Sequence, residues 1–213
     1  MATIDSRYYT MSILSGAAYA TDTNYSTTLG ATLGGLVGDG KQYYTIDQKD
    51  TGTTKYGFAA YVYGDTSNPG VKTIAFRGTE LSDPLDLAAD TDILTHGVAM
   101  QQIVDMYNYV SSLRTGSQSQ YRLVMSANPP LDNTPCVQAM GSLIPGAPPS
   151  LVYYSLELSG TVVGSGVIQP GDTVNLTGHS LGGHLALDVN GFAEATGWVG
   201  PDNSLNLSTL HFS

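Results

Sequence analysis

The segment TVNLTGHSLGGHLALDV runs from Thr173 to Val189. Thr173 to Thr177 has the pattern of a short strand, and the apolar residues that follow Leu181 predict a helix. The glycines around Ser180 predict a tight turn that holds the serine at its apex. A strand, turn and helix in this order are typical of a catalytic nucleophile, and a serine nucleophile needs a histidine and an acid as partners.

Further elements on both sides of this stretch predict an α/β fold. A strand from Leu205 to Phe212 follows the helix and completes a βαβ unit, the building block of a parallel sheet. VKTIAF (Val71 to Phe76) is a short apolar strand. An amphipathic helix is predicted from Gly97 to Leu113, and it adds another strand–helix step. We therefore predict a mostly parallel sheet with flanking helices.

The chain length predicts a single domain over residues 1–213. Residues 115–171 are rich in proline, glycine and serine and contain two strand-like runs, Tyr121 to Met125 and Leu151 to Leu156. A stretch of this length inside one domain is usually an excursion over the surface. We expect a lid, an inserted hairpin layer or a binding loop there.

Charge and hydropathy exclude several classes of partner. The net charge of −10 would repel a phosphate backbone, so no nucleic-acid partner is expected. No apolar run approaches the ~18 residues of a membrane span, so no integral membrane segment is expected. One cysteine and an N-terminus without signal-peptide features leave two locations open. We expect an extracellular protein exported without an N-terminal signal, with a cytoplasmic location as the alternative.

Two short motifs point to acyl chemistry. Gly178 to Gly182 matches G-x-S-x-G, in which small neighbours allow the sharp turn around the serine. Phe76-Arg77-Gly78-Thr79 ends the earlier apolar strand. Serine hydrolases need one N–H donor from the residue after the nucleophile and one from a loop after an earlier strand. Leu181 and Thr79 occupy those positions. The alternative for both motifs is a purely structural strand-ending turn.

The segments IAFRGTE, DLAAD and VNLTGHSLGGHLA together resemble the fungal-type (class 3) lipases and related secreted bacterial lipases. The resemblance implies an α/β-hydrolase-like fold, with Ser180 as nucleophile and Thr79 and Leu181 as oxyanion-hole residues. It also implies that Asp90 holds the oxyanion-hole hydroxyl in place. The resemblance includes the segment SGAAYA near the N-terminus, and it covers most of the chain except residues 115–171.

The histidine and acid of the triad are not identified by the resemblance. In these families both follow the nucleophile after later strands, so we expect a C-terminally incomplete domain whose partners lie beyond the chain end. On that interpretation the chain alone has little turnover. Within the chain His211 is the leading candidate base, because its strand is expected next to the nucleophile strand. The other candidates have weaker arguments: His179, His184 and His96 as base, and Asp188 and Asp202 as acid.

The sequence therefore predicts a carboxylic-ester hydrolase that acts on a lipid or small ester, with a role in lipid degradation. We expect no cofactor and assign no metal ligand. The final strand is expected to present an open edge that allows self-association. Two alternatives remain. One is a catalytically inert binding module, and the other is a thioesterase or acyltransferase with the same turn.

Overall fold

The computed structural model describes residues 6–19, 43–50, 58–77, 100–131, 136–141, 148, 150–179, 181–195 and 206–212. These residues form helices and strands in two sheets. The helices are α1 (Ser6–Ala17), α2 (Met100–Leu113) and α3 (Leu181–Ala195). The strands are β1 (Tyr43–Asp50), β2 (Ala59–Asp65), β3 (Asn68–Phe76), β4 (Ser117–Ser126), β5 (Cys136–Gly141), β6 (Ser150–Val163), β7 (Thr173–His179) and β8 (Asn206–Phe212).

The larger sheet is mixed, with the strand order β1-β2-β3-β7-β8. β1 and β2 are antiparallel, as are β2 and β3, whereas β3, β7 and β8 are parallel to one another. A two-residue turn joins β2 to β3, and Asp65 Oδ1 accepts a hydrogen bond from Ser67 N there at 2.8 Å. A turn this short reverses the chain, so the two strands it joins must be antiparallel.

The predicted mostly parallel, α/β-hydrolase-like sheet with flanking helices is wrong. Of the six strand pairings in the described residues, four are antiparallel and two are parallel. The reason is local. β2 is antiparallel to both β1 and β3, and residues 115–171 build an antiparallel sheet of their own. Only the βαβ step from β7 through α3 to β8, together with β3, has the predicted parallel arrangement.

Both faces of the mixed sheet are covered by helices. On one face α2 and α3 bury an apolar cluster that includes Phe58, Val62, Phe76, Leu113 and Leu185. On the other face α1 contributes Leu14 to a smaller cluster that contains three tyrosines of β1 and β2, namely Tyr43, Tyr61 and Tyr63. Burial on both faces explains the apolar run from Ile74 to Phe76 in β3, the central strand of the sheet.

The second sheet contains β4, β6 and β5 in that order, all antiparallel. It is joined to α2 by the amide of Asn108, whose Nδ2 donates to Tyr121 O and whose Oδ1 accepts from Tyr121 N, at 2.7 and 2.8 Å. Beyond this joint much of β6 is exposed, including the apolar side chains of Leu156, Leu158 and Val163. Residues 115–171 therefore contain an antiparallel sheet that is exposed along much of β6.

A buried ion pair links the middle of β3 to the residue that precedes β7. Lys72 Nζ lies 2.7 Å from Asp172 Oδ2, and both side chains are only 10% exposed. Lys72 also donates to Pro69 O at 3.0 Å, and Asp172 Oδ2 accepts from Gln169 N at 2.8 Å. These extra bonds satisfy the two charges, which burial would otherwise make costly. The pair thus lies where the parallel pairing of β3 with β7 begins.

Helices long and apolar enough to cross a membrane are not found among the described residues.

Candidate active site

The candidate nucleophile falls at the junction of β7 and α3. β7 ends at His179 and α3 begins at Leu181, so Ser180 is the single residue between them in the sequence. Ser180 itself lies outside the described residues, as do Thr79 and Asp90. β7 pairs with β3 on one side and with β8 on the other, both in parallel. The carboxyl ends of such neighbouring strands are where sites assemble in open parallel sheets.

Two glycines allow the close approach of β7 and α3. A Cβ atom on Gly178 would overlap the carbonyl group of Gly182 and would lie 2.7 Å from the backbone nitrogen of Gly183. A Cβ atom on Gly182 would overlap the carbonyl oxygen of Phe76, at the end of β3. Both contacts are with backbone, which cannot swing aside as a flexible side chain does. The G-x-S-x-G spacing thus has a steric cause at both of its glycines.

The end of β3 therefore lies against the first turn of α3. Phe76 pairs in register with Gly178, and a Cβ atom on Gly182 would lie 2.9 Å from the carbonyl carbon of Arg77. Arg77 N donates to Ala59 O at 3.0 Å, which holds this strand end in place. Thr79 follows two residues later in the sequence. The described residues thus bring together the two chain segments that an oxyanion hole of this type requires.

Leu181 is the first residue of α3, and among the nucleophile, the oxyanion-hole residues and Asp90 it alone belongs to the described residues. Its side chain is buried, at 4% exposure. Backbone N–H groups in the first turn of a helix have no partner within the helix, and the helix dipole places positive potential there. An anion or a developing oxyanion is stabilised at such a position.

A tyrosine that follows α1 flanks the junction. Tyr19 Oη lies 3.3 Å from Nδ1 of the exposed His179, and the two rings meet edge to face with centroids 6.2 Å apart. Thr177 Oγ1 donates to Met11 O at 3.3 Å and joins β7 to α1 itself. Sequence reasoning did not identify Tyr19 as a neighbour of the site. The signal available was the resemblance at SGAAYA, which includes this tyrosine.

A histidine and a carboxylate occupy neighbouring positions on α3. His184 Nε2 lies 3.4 Å from Asp188 Oδ2, one helical turn away, and both atoms are shielded from solvent. Burial raises the pKa of Asp188, although the nearby His184 imidazole partly opposes the shift. The contact with Asp188 involves the Nε2 atom of the His184 imidazole. His184 and Asp188 thus form a contact within α3, one turn after the junction.

The remaining candidates are placed only in part. His211 lies in β8 opposite Gly178, so its backbone is next to the end of the nucleophile strand. Its side chain lies outside the described residues, as do His96 and Asp202 entirely. The expected adjacency of the His211 strand to β7 is confirmed, while its role as base stays a prediction.

Comparison of the chain with models of protein families, with curated proteins and with solved structures gives no match in any of the three. Assignment of a function to this site therefore rests on its own residues and geometry.

Proposed function

We propose that the chain is a serine ester hydrolase, related in its motifs to the class 3 lipases, in which Ser180 is the nucleophile. The observation that carries the proposal is the backbone contact between Gly182 and the end of β3. This contact brings the first turn of α3 to the strand that leads to Thr79. Steric demands of this kind are typical of a nucleophile turn and exceed what an ordinary strand–helix connection needs.

The proposed chemistry is acyl transfer through Ser180. A histidine removes the hydroxyl proton as Ser180 Oγ attacks the ester carbonyl, and the alcohol leaves with that proton. The N–H groups of Leu181 and Thr79 stabilise the negative charge on the carbonyl oxygen, and Asp90 orients the Thr79 side chain. Water then releases the acid from the acyl-enzyme. His211 is the candidate base within the chain, since its strand adjoins β7.

The charge of the chain favours neutral substrates. With a net charge of −10, the protein would repel phosphate-rich or strongly anionic molecules. Neutral lipids and small uncharged esters fit this surface best. We propose an extracellular location for the same protein, because only 12% of its residues are charged and it is rich in glycine and tyrosine.

A catalytically inert binding module is the second candidate. It is favoured by the exposed apolar side chains of β6, among them Leu151, Leu156 and Leu158, which a partner could cover. β8 pairs only with β7 in the described residues, so its outer edge is a further place for association. This candidate predicts that Ser180 has the reactivity of any surface serine.

A fluorophosphonate probe separates the two candidates. We expect the probe to label the wild-type protein and not the Ser180→Ala variant, because only an activated serine attacks phosphorus rapidly. Ser165→Ala, at an exposed serine that follows β6, is the matched control and should label as the wild type does. Labelling that is absent from the wild type, or that persists in Ser180→Ala, would favour the inert module.

A further inference from the structure

A cleft lies between α2, the β1 edge of the mixed sheet and the end of β6. We call it the α2 cleft. It encloses about 500 Å³, a volume within the range of small-molecule sites. Phe58, only 1% exposed, lines its inner side and meets the ring of Tyr109 edge to face at 6.1 Å. Val162 and Val163 line the side formed by β6.

Most of the uncharged polar groups in the α2 cleft are already engaged within the protein. The amide of Asn108 binds both backbone groups of Tyr121. Ser112 Oγ donates to Tyr109 O at 2.7 Å, and Gln120 Nε2 donates to Asn108 O at 3.2 Å. The bonds of Asn108 and Gln120 hold α2 to β4, that of Ser112 lies within α2, and together they leave few donors for a ligand. An anion entering the cleft would therefore depend on the exposed Lys49.

The carboxylates of Asp47 and Asp105 each have an oxygen that can accept a hydrogen bond from a ligand. Asp47 Oδ1 accepts from Tyr109 Oη at 2.8 Å, and Asp105 Oδ1 accepts from Gln101 Nε2 at 3.0 Å. In the hydrogen bonds of the described residues, each carboxylate thus uses one oxygen and leaves the other open. Burial, together with the bond to Asp47, raises the pKa of Tyr109, so its hydroxyl stays a donor.

The buried, ionised carboxylate of Asp105 lowers the stability of the folded state. Burial raises the pKa of its carboxyl group, and the hydrogen bond from Gln101 and the charge of Lys49 only partly oppose the shift. A bound ligand of opposite charge would offset the free-energy cost of such a buried charge. With two carboxylates and one lysine among the lining residues, the cleft carries a net charge of 1 − 2 = −1.

We propose that the α2 cleft binds a small organic cation, a protonated amine with a short apolar chain, between Asp47 and Asp105. The ammonium group donates to the open carboxylate oxygens. The apolar chain packs against Phe58 and Val162, and the aromatic rings add a favourable interaction with the cation. This site is independent of Ser180, and its ligand need not be an ester.

The test is a titration of the protein with n-butylammonium, n-butanol and butyrate, followed by NMR shifts of α2 amides or by calorimetry. We expect butylammonium to bind and its affinity to fall about 10- to 100-fold in Asp105→Asn, through loss of a charge-assisted hydrogen bond. Asp188→Asn removes a carboxylate from α3 instead and should leave the affinity unchanged. Asp47→Asn, which keeps an acceptor for Tyr109, should weaken binding as Asp105→Asn does.

Loss of the folded structure is not expected to account for weaker binding by Asp105→Asn. The amide oxygen introduced by Asp105→Asn can still accept from Gln101, while the costly buried charge is gone. This variant is therefore expected to unfold at an equal or higher denaturant concentration than the wild type. Equal affinities for the amine, the alcohol and the acid would overturn the proposal. Unchanged amine binding in both Asp105→Asn and Asp47→Asn, or preferential binding of butyrate, would also overturn it.

Discussion

Replacing Gly182 with alanine is expected to destabilise the fold by about 3 kcal/mol, at the upper end of overpacking effects. The new Cβ atom would overlap the carbonyl oxygen of Phe76 and lie 2.8 Å from its carbonyl carbon. Because both atoms belong to the backbone of β3, relief requires a shift of α3 away from the sheet. Urea unfolding followed by circular dichroism measures the change.

The same substitution should reduce labelling of Ser180 by a fluorophosphonate probe roughly 100-fold, since a displacement near 1 Å at a reacting group has an effect of this size. Gly16→Ala in α1 is the matched control, because Gly16 is exposed and nothing lies within 4 Å of a Cβ atom there. That variant should gain about 0.5–1 kcal/mol from helix propensity. A Gly182→Ala protein as stable and as reactive as the wild type would contradict the close contact of α3 with β3.

Replacing Lys72 with methionine is expected to cost about 3–5 kcal/mol, because it leaves the carboxylate of Asp172 buried without its partner. The 2.7 Å contact between side chains that are both 10% exposed supports a value in this range. The double variant Lys72→Met/Asp172→Asn should recover much of the loss. It removes both charges and keeps an acceptor for Gln169 N.

An exposed ion pair provides the comparison. Arg122 and Glu157 lie 2.8 Å apart across β4 and β6, but their side chains are 66% and 47% exposed. Arg122→Met should therefore change the free energy of unfolding by no more than about 1 kcal/mol. If Lys72→Met were as mild as Arg122→Met, the ion pair between the middle of β3 and the start of β7 would have no special role in the fold.

The parts of the fold that could be predicted are those with a local cause. The alternation before Ser180, the helical pattern after Leu181 and the strand at 206–212 are contiguous, and a βαβ unit is parallel whenever its two strands are neighbours. The steric role of Gly178 and Gly182 followed from the same short segment. Each of these features depends on residues within about 40 positions of one another.

The direction of the remaining strands was predicted wrongly because it was inferred from the βαβ unit and from the strand–helix step that ends at Leu113. β2 is antiparallel to both β1 and β3, and the two-residue turn between β2 and β3 allows only that direction. β5 (Cys136–Gly141) was missed because its six residues have no clear alternation, and only pairing with β6 stabilises it as a strand. Intrinsic strand propensity is a weak predictor where pairing with a distant strand determines whether a segment forms a strand.

Contacts between distant segments could not be predicted from the sequence in any direct way. Tyr19 and His179 are 160 residues apart, and nothing in either local pattern indicates that they meet. The α2 cleft likewise combines residues of β1, α2, β4 and β6, which come together only when both sheets have formed. Such sites require the structure.

The most direct test of the central claim is to map the acyl group after the protein has been incubated with p-nitrophenyl butyrate. Ser180 as nucleophile predicts a butyryl group on the peptide that carries Ser180, detected by mass spectrometry and absent from Ser180→Ala. Acyl-enzyme formation is the half-reaction that the serine itself performs. Butyrylation confined to lysines or tyrosines, and equal in the wild type and in Ser180→Ala, would contradict the assignment of Ser180 as a nucleophile.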